Sequence, residues 1–186
     1  MRIITGRARG TKLFTLEGDS TRPTAERTKE AVFSTLQFDI EGRAVLDLFA
    51  GSGQMGLEAL SRGADSAYMV DSSKHAVEII KKNAQKTRLE PDCRIFCDDA
   101  ISFLKKQKGT RFDLVFLDPP YASSLIDEAL TLLAERGLIK DTSYIVCESD
   151  SFDFLSDKNA ERYEIYKSMK HGVAHVLILK AREGSL

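Results

Sequence analysis

Ala44-Val45-Leu46-Asp47-Leu48-Phe49-Ala50-Gly51-Ser52-Gly53-Gln54-Met55-Gly56 is the stretch that decides the fold. Residues 44–49 are apolar except for Asp47. The run is too short for a helix and lacks the alternation of a half-exposed strand, so it predicts a strand buried on both faces. The chain then turns at Gly51-x-Gly53-x-x-Gly56, where glycines let the backbone bend tightly and approach a ligand closely. Residues 55–62 read as a helix, which Gly63 stops. A strand, a glycine turn and a helix in that order suit a nucleoside-bearing cofactor. Alone, this signal is shared with nicotinamide enzymes and with many unrelated turns.

The same alternation extends outward in both directions. Further apolar strands are predicted at 67–70, 94–97, 112–117 and 144–148, with helices at 74–86, 101–106 and 125–135 between them. Short buried strands separated by helices mean a mostly parallel sheet covered on both faces. Residues 161–169 and 174–180 flank Gly172 and predict a closing antiparallel hairpin. Upstream, residues 2–5 and 11–16 read as a short hairpin around 6–10, followed by a turn-rich loop at 17–23. Thr24 can cap a helix running to about residue 37. The expected fold class is therefore α/β, a seven-stranded sheet with a C-terminal antiparallel hairpin. A boundary near residue 40 would divide an N-terminal extension, 1–40, from a catalytic domain, 41–186.

A chain of 186 residues can bury one core with a small appendage. No apolar run reaches the roughly 20 residues needed to span a bilayer, and no signal-like stretch follows Arg2. The expectation is a cytoplasmic protein without membrane association, and the absence of a coiled-coil signature predicts a monomer. Cys93, Cys97 and Cys147 all fall in predicted strands and lack Cys-x-x-Cys spacing, so they read as small buried hydrophobes and not as metal ligands. The net charge of −1 excludes a strongly basic nucleic-acid binder. Locally, however, Arg2, Arg7, Arg9 and Lys12 occur before the first acid, and Arg22, Arg27 and Lys29 follow. Such a basic end can contact phosphates, and it equally suits a solvated surface.

Four acids carry the chemistry. Asp47 lies inside the first strand, where dinucleotide enzymes are plainly hydrophobic. It can hold the amino-bearing methionine part of S-adenosylmethionine, and it needs a buried donor of its own. Asp71 ends the second strand, where a carboxylate can hold ribose hydroxyls or cap the following helix. Asp99 ends the third and can accept from an adenine amine, a role that its neighbour Asp98 could also fill. Asp118-Pro119-Pro120-Tyr121 directly follows Leu114-Val115-Phe116-Leu117. The prolines force the chain out of the strand. Asp118 and the Pro119 carbonyl can accept from the two protons of an exocyclic amine on a nucleobase, freeing its lone pair. Tyr121 can stack on the ring, an interaction worth about 1–3 kcal/mol. A base within a duplex cannot enter such a site, so it must be unpaired or flipped out. The pattern predicts methyl transfer to that amine without a metal.

Three further stretches bear on the family: Arg22-Pro23-Thr24-Ala25-Glu26-Arg27-Thr28-Lys29-Glu30-Ala31-Val32-Phe33, Gly56-Leu57-Glu58-Ala59-Leu60-Ser61-Arg62-Gly63-Ala64 and Phe112-Asp113 leading into the Asp118 strand. With Asp47–Gly53, they resemble the RsmD family of bacterial 16S rRNA guanine-N2 methyltransferases over nearly the whole chain. The resemblance implies a Rossmann-like S-adenosylmethionine-dependent methyltransferase fold. It implies methylation of the exocyclic N2 of a guanine in 16S rRNA, within an assembled or partly assembled 30S subunit. Residues implied for catalysis are Asp118, Pro119 and Tyr121. Those implied for the cofactor are Asp47, Ala50, Gly51, Ser52, Gly53, Asp71 and Asp99. Arg22, Thr24, Arg27, Pro120 and Tyr121 are implied for the substrate. Gln54-Met55 replaces a pair that is often small, Asp71 stands where Glu is frequent, and Ser34 replaces a common Asn. The Asp-Pro-Pro-Tyr chemistry serves adenine N6 equally well, so an N6-adenine methyltransferase of DNA or RNA is the alternative. An oxidoreductase is disfavoured by Asp47, and a non-catalytic RNA-binding module by the presence of both small-molecule sites.

Overall fold

The computed structural model describes residues 1–16, 23–119, 123–151, 154–172 and 174–186; of residues 23–25, 123 and 171 only the backbone is described. Helix α1 (Pro23–Thr35) precedes β1 (Ala44–Asp47), α2 (Gln54–Ser61), β2 (Ser66–Asp71), α3 (Lys74–Thr87) and β3 (Cys93–Cys97). The chain continues through α4 (Ala100–Lys106), β4 (Phe112–Leu117), α5 (Ser123–Glu135) and β5 (Ile139–Ser149). It closes with α6 (Asp157–Arg162), β6 (Tyr163–His171) and β7 (Ala174–Ala181). No helix among the described residues is long and apolar enough to cross a membrane.

The strands form one sheet in the order β3-β2-β1-β4-β5-β7-β6. Pairs among β1 to β5 are parallel, and β7 runs antiparallel to both β5 and β6. The chain starts at the sheet's centre, winds outward to β3, and returns to the centre at β4. Strand order therefore reverses between β1 and β4, and the crevice beyond their carboxyl ends is where such sheets bind ligands.

Side-chain alternation sorts the core into two layers. On one face Val45, Phe116 and Val146 pack with Val32 and Phe33 of α1 and Leu57 of α2. On the other Leu46, Leu117 and Cys147 pack with Leu104 of α4 and Leu130 of α5. The alternation has a direct consequence for the site. Asp47, Asp118 and Glu148 each lie two residues beyond Val45, Phe116 and Val146, so all three belong to the α1–α2 face at the carboxyl edge.

The N-terminal segment is part of the same packing, with Ile3, Ala8 and Leu13 joining the core of α1 and α2. It is held by polar groups of α2. Glu58, fully buried, accepts from Ile4 N at 2.7 Å and Thr5 N at 3.0 Å. Ser61 donates to Thr5 O at 2.6 Å and accepts from Ala8 N at 3.0 Å. Downstream, Asn83 of α3 exchanges hydrogen bonds with both backbone groups of Phe14 and donates to Ser52 O at 2.9 Å.

Three expectations need correction. The predicted hairpin at 2–5 and 11–16 reduces to one antiparallel bridge, Arg2 to Lys12, because Glu58 takes the two N–H groups that would extend the ladder. Helix α6 occupies part of what reads as an approach to the sixth strand; Ser156 caps it by accepting from Asn159 N. Cys97 is exposed, unlike Cys93 and Cys147, because it ends an edge strand.

Candidate active site

A cleft opens at the carboxyl ends of β1, β4 and β5, under α1. Its empty space is about 600 Å³, the solvent at its mouth included. Phe116 and Val146 form its floor; Thr28, Lys29 and Val32 of α1 form one wall. Asp47, Asp118 and Glu148 supply three carboxylates, and Ala50, Gln54 and Met55 border the glycine turn.

Asp47 is buried, and its Oδ2 accepts from Gly56 N at 3.1 Å. That bond is the buried donor that the sequence requires, and it ties the end of β1 to the first turn of α2. Burial lifts the Asp47 carboxyl to about 7; the negative charge of Asp71 adds to the rise, and the Gly56 hydrogen bond opposes it. A carboxyl so placed is relieved either by a proton or by a cation brought beside it.

The turn itself is a backbone cradle. Gly51 and Gly53 take positive φ of 53° and 77°. A Cβ at Gly53 would lie 3.1 Å from Ile80 Cγ2, and one at Gly56 2.8 Å from Met69 Cγ. Only glycine lets α2 start this close to β2 and α3. Gln54 Oε1, at the cleft, is buried without a hydrogen-bond partner among the described residues. Asp71 Oδ2 accepts from Gly51 N at 2.9 Å and Oδ1 from Ser73 N at 2.8 Å. It thus fixes the turn, while Ser73 caps α3. The geometry fits S-adenosylmethionine: a buried acid that suits a cationic amino acid end, a tight turn with glycines at 51 and 53, and an acid at the neighbouring strand end.

The other expected residues are distributed as follows. Ala50 lines the cleft, and its N–H donates to Val70 O. Ser52 is buried with its Oγ toward Met1 Sδ. Asp99 caps α4 by accepting from Ser102 N at 2.9 Å, while Asp98 pairs with Lys106 at 2.7 Å. Both lie at the end of β3, outside the cleft lining. Asp118 is exposed at the mouth and Pro119 is buried behind it. Arg27 is exposed on α1, one residue before the cleft-lining Thr28. Arg22, Pro120 and Tyr121 lie outside the described residues, as does the side chain of Thr24.

Two further residues belong here: Lys29, which is buried and not part of the solvated or phosphate-facing basic surface expected for it, and Glu148, which sequence reasoning passes over. Lys29, buried, donates to Arg2 O at 2.6 Å and pairs with Glu58 at 3.5 Å. Burial pushes its ammonium pKa down, and the charge of Glu58 opposes that shift. Its sequence signal was a basic residue on the apolar side of a helix. Glu148 was signalled by a charged residue ending an apolar strand, the same mark that drew attention to Asp118.

This strand order, with its switch point beside a buried acid and its closing antiparallel hairpin, is that of the Rossmann-like S-adenosylmethionine-dependent methyltransferases. The 16S rRNA methyltransferase RsmC of Thermus thermophilus, solved with AdoMet and guanosine, shares that fold (TM-score 0.69, 20% identity, 90% of this chain and 45% of that one). The chain belongs to the RsmD family: the family described as conserved hypothetical protein 95 matches residues 1–180. Relatives include ribosomal RNA small subunit methyltransferase D of Escherichia coli, 39% identical over 81% of this chain and 75% of the relative. The Haemophilus influenzae enzyme of the same name is 38% identical over 81% and 79%. The solved Escherichia coli protein yhhF superposes with a TM-score of 0.85 at 30% identity, covering 98% of both chains.

Proposed function

We propose that this methyltransferase modifies the exocyclic N2 of a guanine in small-subunit (16S) ribosomal RNA, acting as a monomer on an assembled or partly assembled 30S subunit. The observation that carries the reading is the convergence of Asp47 and Asp118 on one face of neighbouring strands, flanking a single cleft beside the glycine turn. The names of the relatives support ribosomal RNA of the small subunit as substrate. They do not favour the adenine-N6 alternative.

S-adenosylmethionine supplies an electrophilic methyl group on a positively charged sulfur. Asp47 holds the cationic end of the cofactor, and the Gly51–Gly53 turn admits its backbone-facing side. In this reading Asp71 takes the ribose hydroxyls and Asp99 the adenine amine, each alongside the backbone N–H groups that it already accepts from. Asp118 accepts one proton of the guanine N2 amine and the Pro119 carbonyl the other, which frees the nitrogen lone pair. Tyr121 stacks on the extruded base, with Pro120 setting the turn. Arg22, Thr24 and Arg27 contact the RNA around it. With that cofactor bound, transfer to N2 would leave the C–S electron pair on sulfur, and the proton lost from the amine would pass to solvent. Alignment and local electrostatics supply the acceleration.

Asp118→Ala should lower methyl incorporation into small-subunit particles by about 100-fold or more, with cofactor affinity within about twofold of the parent. Radiolabelled transfer and calorimetry measure the two. Undiminished transfer would reject the role of Asp118. Mass spectrometry of the digested RNA should find N2-methylguanosine; N6-methyladenosine in its place would reject the guanine reading.

A further inference from the structure

Glu148 stands at the register position next to Asp118. Strands β4 and β5 pair in parallel with Leu117 opposite Cys147, so one step further sets Asp118 beside Glu148 at about the 4.8 Å spacing of neighbouring strands. Both side chains lie on the α1–α2 face and line the cleft. Glu148 is half-buried, and among the described residues it has no hydrogen-bond or ion-pair partner. Lys29, the cation among the described lining residues, is itself engaged by Glu58 and by Arg2 O. Burial raises the pKa of the Glu148 carboxyl. A half-buried acceptor that lines the cleft and has no protein partner among the described residues is available to a donor on a bound ligand.

The ligand chemistry follows from what lies next to the amine on the base. In guanine the 2-amine is flanked by N1, which bears a hydrogen, and by N3, a bare acceptor, so a carboxylate beside the amine pairs favourably only on the N1 side. In adenine the atom beside the 6-amine is also N1, but there it is a bare acceptor. We propose that Glu148 reads this edge: its carboxylate accepts the N1–H of the extruded guanine whose N2 amine is held by Asp118, and it repels the N1 lone pair of adenine. Glu148 is thus a specificity-determining residue, and the inference rests on the guanine-N2 reading. Rejection of adenine arises because a base with an acceptor at N1 leaves two acceptors facing each other in a partly dry site.

The test uses small-subunit particles lacking the modification. The wild-type enzyme first methylates them, and the modified nucleotide is mapped. Particles are then reconstituted with either guanosine or 2-aminopurine at that position. 2-Aminopurine keeps the 2-amine but has a bare N1 acceptor. The wild type should prefer guanine by at least about tenfold. Glu148→Gln presents an amide that can donate to a bare N1, and should collapse that preference by about tenfold or more while cofactor affinity stays within about twofold. Glu148→Asp should keep the preference at a reduced rate. An unchanged guanine to 2-aminopurine ratio in Glu148→Gln, or a wild type that methylates both bases equally, would overturn the role of Glu148 alone. If Glu148→Gln does not fold, the wild-type ratio and Glu148→Asp decide. Absence of N2-methylguanosine after wild-type treatment would overturn the guanine reading and this inference with it.

Discussion

Asp47 carries a cost in the free protein. Its carboxyl is lifted from 3.8 to about 7 by burial, with Asp71 adding to the rise. A raised acid contributes stability that is complete below the unfolded value and is lost as pH climbs through the folded one. The free enzyme therefore weakens between about pH 4 and pH 7 on account of this group, by an amount on the order of 2–4 kcal/mol. Asp47→Asn keeps an acceptor for Gly56 N and removes the charge. Its melting temperature should exceed the wild type's at pH 8 and match it near pH 4; an equal difference at both values would contradict the assignment. Cofactor affinity runs the opposite way. A bound cation favours the ionised carboxylate, so calorimetry on the wild type should find binding weakening about tenfold per unit below pH 7, and Asp47→Asn should lose that dependence.

Helix α2 is the element on which the site and the N-terminal segment both depend. Its first turn meets Asp47, its buried side meets β2 through Gly56, and its far end holds residues 4–8. Gly56→Ala would set a methyl 2.8 Å from Met69 Cγ. Either Met69 or the helix must then shift, which should cost about 1–3 kcal/mol; a helix shift would also weaken cofactor binding, because Gly56 N donates to Asp47. Gly6→Ala is more severe locally. Gly6 has φ of +86°, and a Cβ there would fall 1.7 Å from Ser61 O, a backbone atom that cannot swing away. Hydrogen exchange should find the amides of Ile4, Thr5, Arg7 and Ala8 unprotected in that variant, while strands β1 and β4 retain their protection. Loss of protection throughout the sheet would contradict the view that this segment docks on a preformed α2. The elements themselves were largely readable. Alternation, glycine stops and strand-ending acids located α2, α3 and β4 to within a residue or two. Helix α6 and the early start of β5 at Ile139 were not, because their causes are distant: Asn159 donates to Asp127 O and Thr131 Oγ1 of α5, and β5 begins where Ile139 pairs with Phe112.

Across the whole molecule, Glu58 is the buried junction. It is fully buried and meets Ile4 N, Thr5 N, Arg62 Nε at 2.8 Å and Lys29 Nζ at 3.5 Å. One carboxylate thus joins the N-terminal segment, α1 and α2. Glu58→Ala strands the Lys29 ammonium in the interior and should cost about 3–5 kcal/mol of stability in chemical denaturation. Lys29→Met with Glu58→Gln should lose less than the sum of the single changes, and additive losses would refute the coupling. Because Lys29 also walls the cleft, the same variants should lower cofactor or base affinity. The pattern of residues along the chain was enough to determine the doubly covered parallel sheet, the glycine turn after β1 and the acids that end the strands, since each rests on local periodicity or on a backbone requirement of a few neighbouring residues. Tertiary structure alone decided which acids share the cleft. Asp47 and Asp118 meet Glu148 there because β1, β4 and β5 are neighbours in register, whereas Asp99 is turned to cap α4 at the end of the edge strand. Glu58 likewise reads as an ordinary helix-surface acid until the N-terminal backbone folds over it, because burial and partnership are properties of contacts between segments far apart in the chain.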